Sequence, residues 1–199
     1  MDKNEQFWNE VYASGDYLKK WDYSQASPEL VSLLAFAALK LKSAVVDLGC
    51  GTGQDAIFMA QCGHKASGID ISQQALDLAQ KKAEELDTEV NWQQANFLDL
   101  PFKDSSIDFI NDRGSLHLLE EAHWPELIKE LKRILKPGGI LFMRGASPKE
   151  LRKGYTVITT ELITRYFDED SFTHGPVLPI TLISDQGSLD ANLVLISRL

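Results

Sequence analysis

The sequence predicts an α/β domain built on a mostly parallel sheet. Short apolar runs alternate along the chain with amphipathic stretches, which is the pattern of successive βαβ units. A turn with three glycines at alternate positions, 49–53, directly follows the first apolar run. The length of 199 residues fits one domain of this class with a small appendage. We therefore expect residues 1–30 to form an N-terminal segment and residues 31–199 to form the main domain.

The composition excludes several classes of protein. The chain has 20 Lys and Arg against 29 Asp and Glu, a formal net charge of −9, which disfavours nucleic acids and anionic membranes as partners. The two cysteines are too few for a disulfide scaffold, and no Cys/His cluster indicates a metal site. The N-terminus does not have the pattern of a secretory signal, and no apolar run reaches the roughly 20 residues that span a bilayer. These features predict a cytoplasmic protein.

Two helices are predicted in the first 40 residues. Residues 4–13 carry four apolar side chains at helical spacing, which indicates a packing stripe against the domain, with contact to a ligand as the alternative. The stripe consists of Phe7, Trp8, Val11 and Tyr12. A loop over 14–27 follows. Ser27 and Pro28 are typical of an N-cap and a first helical position, and they predict a helix that runs to about Leu39.

The remaining elements are predicted from apolar runs and helical periodicity. The predicted strands are 44–48, 65–69, 90–94, 107–111, 140–144, 178–184 and 189–198. The predicted helices are 54–61, one that begins after Ser72, one that begins at Pro125 and ends at 136–139, and 159–168. In the helix after Ser72 the side chains expected to face inward are Ala75, Leu76, Ala79, Ala83 and Leu86.

The glycine turn has the features of a nucleoside-binding loop. Alternate glycines let the backbone turn tightly and let a ligand approach closely, and the following helix presents unpaired N–H groups. The second strand ends at Asp70, and a carboxylate at that position suits the two hydroxyls of a ribose. The alternative at this point is an ordinary glycine-rich turn.

The spacing of the glycines bears on which cofactor binds. NAD sites usually read GxGxxG, whereas this loop reads GxGxG, with Asp47 two residues before its first glycine. An acidic residue there disfavours a pyrophosphate and favours a cationic ligand such as S-adenosylmethionine (SAM). An NAD-dependent oxidoreductase, which would use the same βαβ unit, stays open as an alternative.

Four motifs resemble those of the class I SAM-dependent methyltransferases. VVDLGCGTG, GIDIS, NFLDLPF and LKPGG occur in this order over roughly residues 44–144. The resemblance implies a Rossmann-like sheet of seven mostly parallel strands in the order 3-2-1-4-5-7-6, with helices on both faces. It also implies SAM as the cofactor, in-line transfer of its methyl group to a small molecule, and S-adenosylhomocysteine as the product.

The same resemblance assigns cofactor contacts by position. Gly49, Gly51 and Gly53 would line the methionine part, and Asp47 would orient the loop. Asp70 would hold the ribose, Ile71 would pack on the adenine, and Asn96 and Phe97 would contact the adenine edge. The family often has Asp where this chain has Asn96, and an amide oxygen can still accept from the adenine amino group.

Candidate residues for the methyl acceptor follow the fourth strand. Because the carboxyl end of such a strand borders the ligand crevice, we expect Asp112, Arg113 and His117 to be catalytic and Asp112 also to contact the cofactor. Arg113 could attract an anionic acceptor, and His117 could remove a proton from a thiol. A packing role is the alternative for His117. The segment lacks the Asn/Asp-Pro-Pro-Tyr tetrad of amino-methylating DNA enzymes, which disfavours a nucleic-acid acceptor.

The N-terminal segment is similar to the opening of the thiopurine, thiol/halide and tellurite methyltransferases. The similarity rests on Phe7-Trp8, Tyr12, Gly15, Trp21-Asp22, 27–30 and the triplet at 112–114. It implies a lid over the site, with Trp21 contacting the cofactor, and a soft acceptor such as a thiol, selenite, tellurite or halide. The alternatives are an oxygen, nitrogen or carbon acceptor on a larger metabolite, or a SAM-binding protein without catalysis. The oligomeric state is not predicted.

Overall fold

The computed structural model describes residues 3–36, 39–149 and 154–199. The chain divides into two compact units. Unit 1 comprises Met1–Asn96 and Ile183–Gly187, and unit 2 comprises Phe97–Leu182 and Ser188–Leu199. The division at residue 30 that we expect from the sequence stays a prediction.

Unit 1 contains three parallel strands in the order β3-β2-β1. They are β1 (Ala44–Leu48), β2 (Lys65–Asp70) and β3 (Asn91–Gln94). Two helices connect them, α3 (Gln54–Gln61) after β1 and α4 (Gln73–Glu85) after β2. The register places Asp47 beside Gly68, and it places Asp70, the last residue of β2, beside Gln94. This half of the predicted strand order is confirmed.

The N-terminal segment also belongs to unit 1. It comprises α1 (Lys3–Ser14), a 3-10 turn over Asp16–Lys19 that the sequence did not predict, and α2 (Pro28–Phe36). α1 packs against α4, and α2 begins at Pro28 as predicted. The helix is predicted to end near Leu39. The structure describes α2 to Phe36, and residues 37 and 38 lie outside the described residues.

Unit 2 carries the other half of the predicted order. Its strands are β4 (Ile107–Arg113), β5 (Leu135–Ala146), β6 (Phe172–His174), β7 (Leu178–Ser184) and β8 (Gly187–Arg198), and its helices are α5 (Trp124–Ile134) and α6 (Thr160–Tyr166). The order is β4-β5-β8-β6, with β7 also paired to β8. β4 and β5 are parallel, and β8 is antiparallel to β5. The predicted order places the sixth strand, 178–184, beside the last one. In the structure that strand is β7, and both β7 and the short β6 pair with β8.

Three local predictions differ from the structure. The helix from Pro125 is predicted to end at 136–139 and the next strand to begin at 140, but β5 begins at Leu135 and includes 136–139. An irregular register between Ile107 and Phe109 accommodates the longer strand. β6 was missed because three residues are too short for an alternation pattern. Leu86 was expected to face inward, but it caps the end of α4 and is exposed.

In the part of the chain that the structure describes, no helix combines the length and apolar character needed to cross a bilayer. The cellular location stays a prediction.

Candidate functional site

The loop between β1 and α3 depends on glycine for its backbone conformation. The φ angles of Gly49, Gly51 and Gly53 are 64°, 51° and 83°, a region that L-amino acids rarely adopt. Gly53 also leaves space for Trp92, because a Cβ atom at Gly53 would lie 2.5 Å from the Trp92 ring. Gly68 on β2 leaves space for the same ring. Part of the glycine pattern therefore serves the packing of Trp92, which the sequence did not reveal.

Asp70 links this loop to the start of α4. One carboxylate oxygen, Oδ2, accepts from the Gly51 N–H at 2.9 Å, and the other, Oδ1, accepts from the Ser72 N–H at 2.9 Å. Burial raises the pKa of Asp70 to about 6, and the bonds from Ser72 and Gly51 partly offset that rise. Each carboxylate oxygen has a further lone pair, so this group can still accept from two ribose hydroxyls. The glycine loop leaves space for a ligand, and the Asp70 carboxylate offers acceptors for the hydroxyls of its ribose, so both fit SAM.

The other predicted cofactor contacts lie on the same strands or just after them. Asp47 is buried on β1, and Ile71 follows β2 and is half-buried. The Gln94 side chain donates to the Ile71 carbonyl at 2.9 Å. Asn96 is exposed after β3, and Phe97 is half-buried at the first position of unit 2. The roles of these residues stay predictions.

The N-terminal segment covers the glycine loop through Tyr12. Its ring is buried, and a Cβ atom at Gly51 would lie 2.7 Å from its hydroxyl oxygen. Trp21 is half-buried and packs edge-on against Trp8 with ring centroids 5.7 Å apart. Tyr12 therefore packs on the loop at Gly51, and the ring that Trp21 packs against, Trp8, belongs to the same N-terminal segment. The predicted contact of Trp21 with the cofactor stays a prediction.

Two polar contacts fasten the same segment to α3 and the loop. The Thr52 hydroxyl donates to Asp22 at 2.7 Å and accepts from Lys82 at 3.1 Å. The backbone N–H and hydroxyl of Ser27 donate to the two oxygens of Asp55 at 2.7 and 2.8 Å. The sequence did not reveal these contacts because the partners are about 30 positions apart. The only sign of them in the sequence is that both partners of each bond are polar.

In unit 2, Asp112 organises the turn that follows β4. Its Oδ1 atom accepts from the Ser115 N–H, the Ser115 hydroxyl and the Leu116 N–H, at 3.0, 2.5 and 3.0 Å. Within the described residues its buried Oδ2 atom accepts no hydrogen bond. Burial raises the pKa of Asp112, with these bonds acting in the opposite direction. One half of the carboxylate is therefore structural, and Oδ2 keeps its capacity to accept.

Arg113 lies beside a second arginine at the end of the same strands. The register of β4 and β5 pairs Arg113 with Arg144. Burial, and secondarily the charge of Arg144, lower the pKa of Arg113 to about 9. Arg144 is fully buried, donates to Asn111 at 2.5 Å, and stacks 4.4 Å from the centroid of Phe142. The side chain of Arg144 is therefore held by its neighbours.

The contacts of His117 define the state of its ring. Nδ1 accepts from the Ala146 N–H at 2.8 Å, and the ring stacks on Tyr155 with centroids 4.5 Å apart. Because Nδ1 accepts, the proton of the neutral ring is on Nε2. This geometry fits donation from Nε2 better than removal of a proton from a thiol. A catalytic role for His117 stays a prediction.

Metal ligation finds no support in the ranges that the structure describes, because no three His, Cys, Asp or Glu side chains cluster there as a metal ion would require.

Residues 45–139 match a family described as methyltransferase domain. This segment, just under half of the chain, is similar to SAM-dependent methyltransferases. The match covers the glycine loop, Asp70 and the whole of β4, and SAM is the cofactor of the family, as the sequence predicted. The alternative of an NAD-dependent oxidoreductase is not supported.

Two of the similar proteins are named as methyltransferases. The cypemycin N-terminal methyltransferase of a Streptomyces species is 35% identical over 55% of this chain and 44% of its own length. The 27-O-demethylrifamycin SV methyltransferase of Amycolatopsis mediterranei is 30% identical over 69% of this chain and 52% of its own length. The chain thus spans about half the length of these relatives.

Solved structures share the fold over nearly the whole chain. A protein studied for the conversion of a disulfide bond into a thioacetal group in echinomycin biosynthesis has a TM-score of 0.83 and 22% identity, covering 98% of this chain and 92% of that one. The geranyl diphosphate C-methyltransferase of Streptomyces coelicolor has a TM-score of 0.68 and 17% identity, covering 86% of this chain and 78% of that one. The fold is the α/β fold of methyltransferases.

Proposed function

We propose that this protein transfers a methyl group from SAM to a small-molecule acceptor. The observation that carries the proposal is the bond from the Gly51 N–H to the buried Asp70 carboxylate, which joins the glycine loop to the predicted ribose acceptor. The match of residues 45–139 to the methyltransferase family supports it independently.

SAM supplies a methyl group bonded to a positively charged sulfur. The chain's own contribution begins with Asp70, which is held by two backbone N–H groups and so stays oriented toward a diol. Tyr12 buries the loop at Gly51, which keeps water away from the bound cofactor. Asp112, Arg113 and His117 are the candidates for contact with the acceptor.

We propose a soft sulfur nucleophile as the acceptor class. A thiolate attacks without a strong general base, so the protein chiefly needs to position it and to exclude water. This requirement is consistent with His117, whose Nδ1 atom is already engaged by a backbone N–H. The N-terminal resemblance supports the same class.

An oxygen or nitrogen acceptor on a larger metabolite is the second candidate. The relatives named for rifamycin and for the N-terminus of cypemycin favour it. A thiol panel extended with phenols and amines separates the two candidates.

The test is transfer of label from methyl-labelled SAM to a panel of small thiols, selenite, tellurite, iodide, phenols and amines. We expect labelled thiol products with the wild type and at least tenfold slower transfer with Asp70→Ala. The matched control is Asp77→Ala, an exposed carboxylate on α4 that bonds only to Gln73 among the contacts seen, and it should leave the rate unchanged. Label in phenols or amines alone would replace the sulfur acceptor with the second candidate. Tight binding of S-adenosylhomocysteine without transfer to any acceptor would indicate a SAM-binding protein without catalysis.

A further inference from the structure

We propose that the hydroxyl of Tyr12 donates a hydrogen bond to the carboxylate at the amino-acid end of the cofactor. Helix α1 would then be part of the cofactor site and would select ligands that carry this carboxylate. The inference rests on the proposed function, because it takes SAM as the ligand of the glycine loop.

The first argument is the position of the hydroxyl. The three nearest atoms to a Cβ built on Gly51 all belong to Tyr12, and its hydroxyl oxygen is the closest, at 2.7 Å. Gly51 is the central glycine of the loop, and its N–H bonds to Asp70. The Tyr12 hydroxyl therefore contacts the same residue that joins the loop to the predicted ribose acceptor.

The second argument is the direction in which this hydroxyl can act. Burial, and then the charge of Asp70, raise the pKa of Tyr12 well above its ordinary value, so the phenol keeps its proton at neutral pH. Tyr12 thus has an O–H to donate.

The third argument is the charge of the surroundings. The buried acidic side chains of β1 and β2, Asp47 and Asp70, can only accept hydrogen bonds when ionised, which suits hydroxyl and ammonium groups. The carboxylate of the cofactor needs donors instead. At Gly51 the nearest side chain is that of Tyr12, and it supplies a neutral donor without the cost of burying a lysine or arginine.

The structure also provides a matched control in Tyr17. Its ring is buried in the same cluster, with centroids 5.0 Å from Tyr12 at an angle of 38°. Tyr17→Phe removes a hydroxyl from the same aromatic cluster but not from the glycine loop. A difference between the two variants therefore reports the contact at Gly51 and not the packing of the cluster.

The test is calorimetric binding of two ligands by the full chain. S-adenosylhomocysteine carries the amino-acid carboxylate, and 5′-methylthioadenosine has the same adenine and ribose without it. We expect Tyr12→Phe to weaken S-adenosylhomocysteine binding roughly tenfold or more, since the bond is to a charged group. Binding of 5′-methylthioadenosine should change less than twofold, and Tyr17→Phe should leave both ligands unchanged.

Four results would overturn the proposal. Unchanged binding of S-adenosylhomocysteine by Tyr12→Phe would exclude the bond. Equal weakening of both ligands would assign the contact to the ribose or to the loop itself. If the wild type binds neither ligand, the proposed function fails as well. Thermal unfolding of both variants checks that they are folded. Should Tyr12→Phe not fold, the wild type is titrated with the decarboxylated analogue of S-adenosylhomocysteine, and binding no weaker than that of the parent overturns the proposal.

Discussion

Replacing Asp70 with Asn should stabilise the protein at neutral pH and destabilise it in acid. Burial raises the pKa of Asp70 from 3.8 to about 6. Between these values the native state holds the proton and the unfolded chain does not, so stability falls as the pH rises from about 4 to about 6. A shift of about 2 units corresponds to about 3 kcal/mol. At neutral pH the ionised carboxylate therefore lowers the free energy of unfolding by about that amount.

The variant Asp70→Asn removes this cost but loses one acceptor. The carboxylate accepts from the N–H groups of Gly51 and Ser72 on separate oxygens, whereas an amide has one oxygen. The unpaired N–H costs about 1–2 kcal/mol. The variant should be more stable than the wild type by about 1–2 kcal/mol at pH 7.5, and less stable by a similar amount at pH 4, where Asp70 is protonated in the folded protein.

Urea unfolding at pH 4 and pH 7.5 measures this reversal of sign. Asp77→Asn on the exposed side of α4 is the control and should change the free energy of unfolding by less than about 0.5 kcal/mol at either pH. Affinity for S-adenosylhomocysteine should fall at least tenfold in Asp70→Asn alone. A variant less stable than the wild type by the same amount at both pH values would refute the reasoning.

Two further substitutions test local contacts. Gly51→Ala should lower the free energy of unfolding by about 2–4 kcal/mol, because the φ of 51° is strained for Ala and the new Cβ would meet Tyr12. The control is Gly138→Ala, which should cost only about 1 kcal/mol, because Gly138 has a φ of 77° and no atom within 4 Å of the new Cβ. Equal losses of stability in urea unfolding would contradict the contact between Gly51 and Tyr12. His117→Leu should lower the free energy of unfolding by about 1–3 kcal/mol in the same assay, because it leaves the buried N–H of Ala146 without its acceptor. A loss of stability below about 0.5 kcal/mol would show that Nδ1 is not that acceptor.

Local patterns in the sequence were sufficient for every strand except β6, for the glycine loop and for the position of Asp70. A strand, a turn that needs positive φ angles and an N-cap such as Ser72 each depend on neighbouring residues, so short windows carry the information. The beginning of β5 was less predictable. Leu135 continues the apolar spacing of α5, and pairing with Ile107 on β4 places it in a strand instead.

Contacts between distant segments could not be predicted. Tyr12 has the spacing of a packing residue, and only the fold shows that its hydroxyl meets Gly51. Trp92 gives no sign in the sequence that it packs on Gly53 and Gly68. Asp112 was expected near the reacting groups, whereas one of its oxygens is committed to the Ser115 turn, a local bond that the adjacent serine could have indicated.

The central claim, that the glycine loop and Asp70 form a SAM site, is tested most directly by calorimetric titration of the full chain with S-adenosylhomocysteine and, separately, with NADH at pH 7.5. We predict saturable one-to-one binding of S-adenosylhomocysteine that Asp70→Ala weakens at least tenfold and Asp77→Ala does not, and no binding of NADH. Binding of NADH without S-adenosylhomocysteine, or equal affinity of the wild type and Asp70→Ala for S-adenosylhomocysteine, would contradict it.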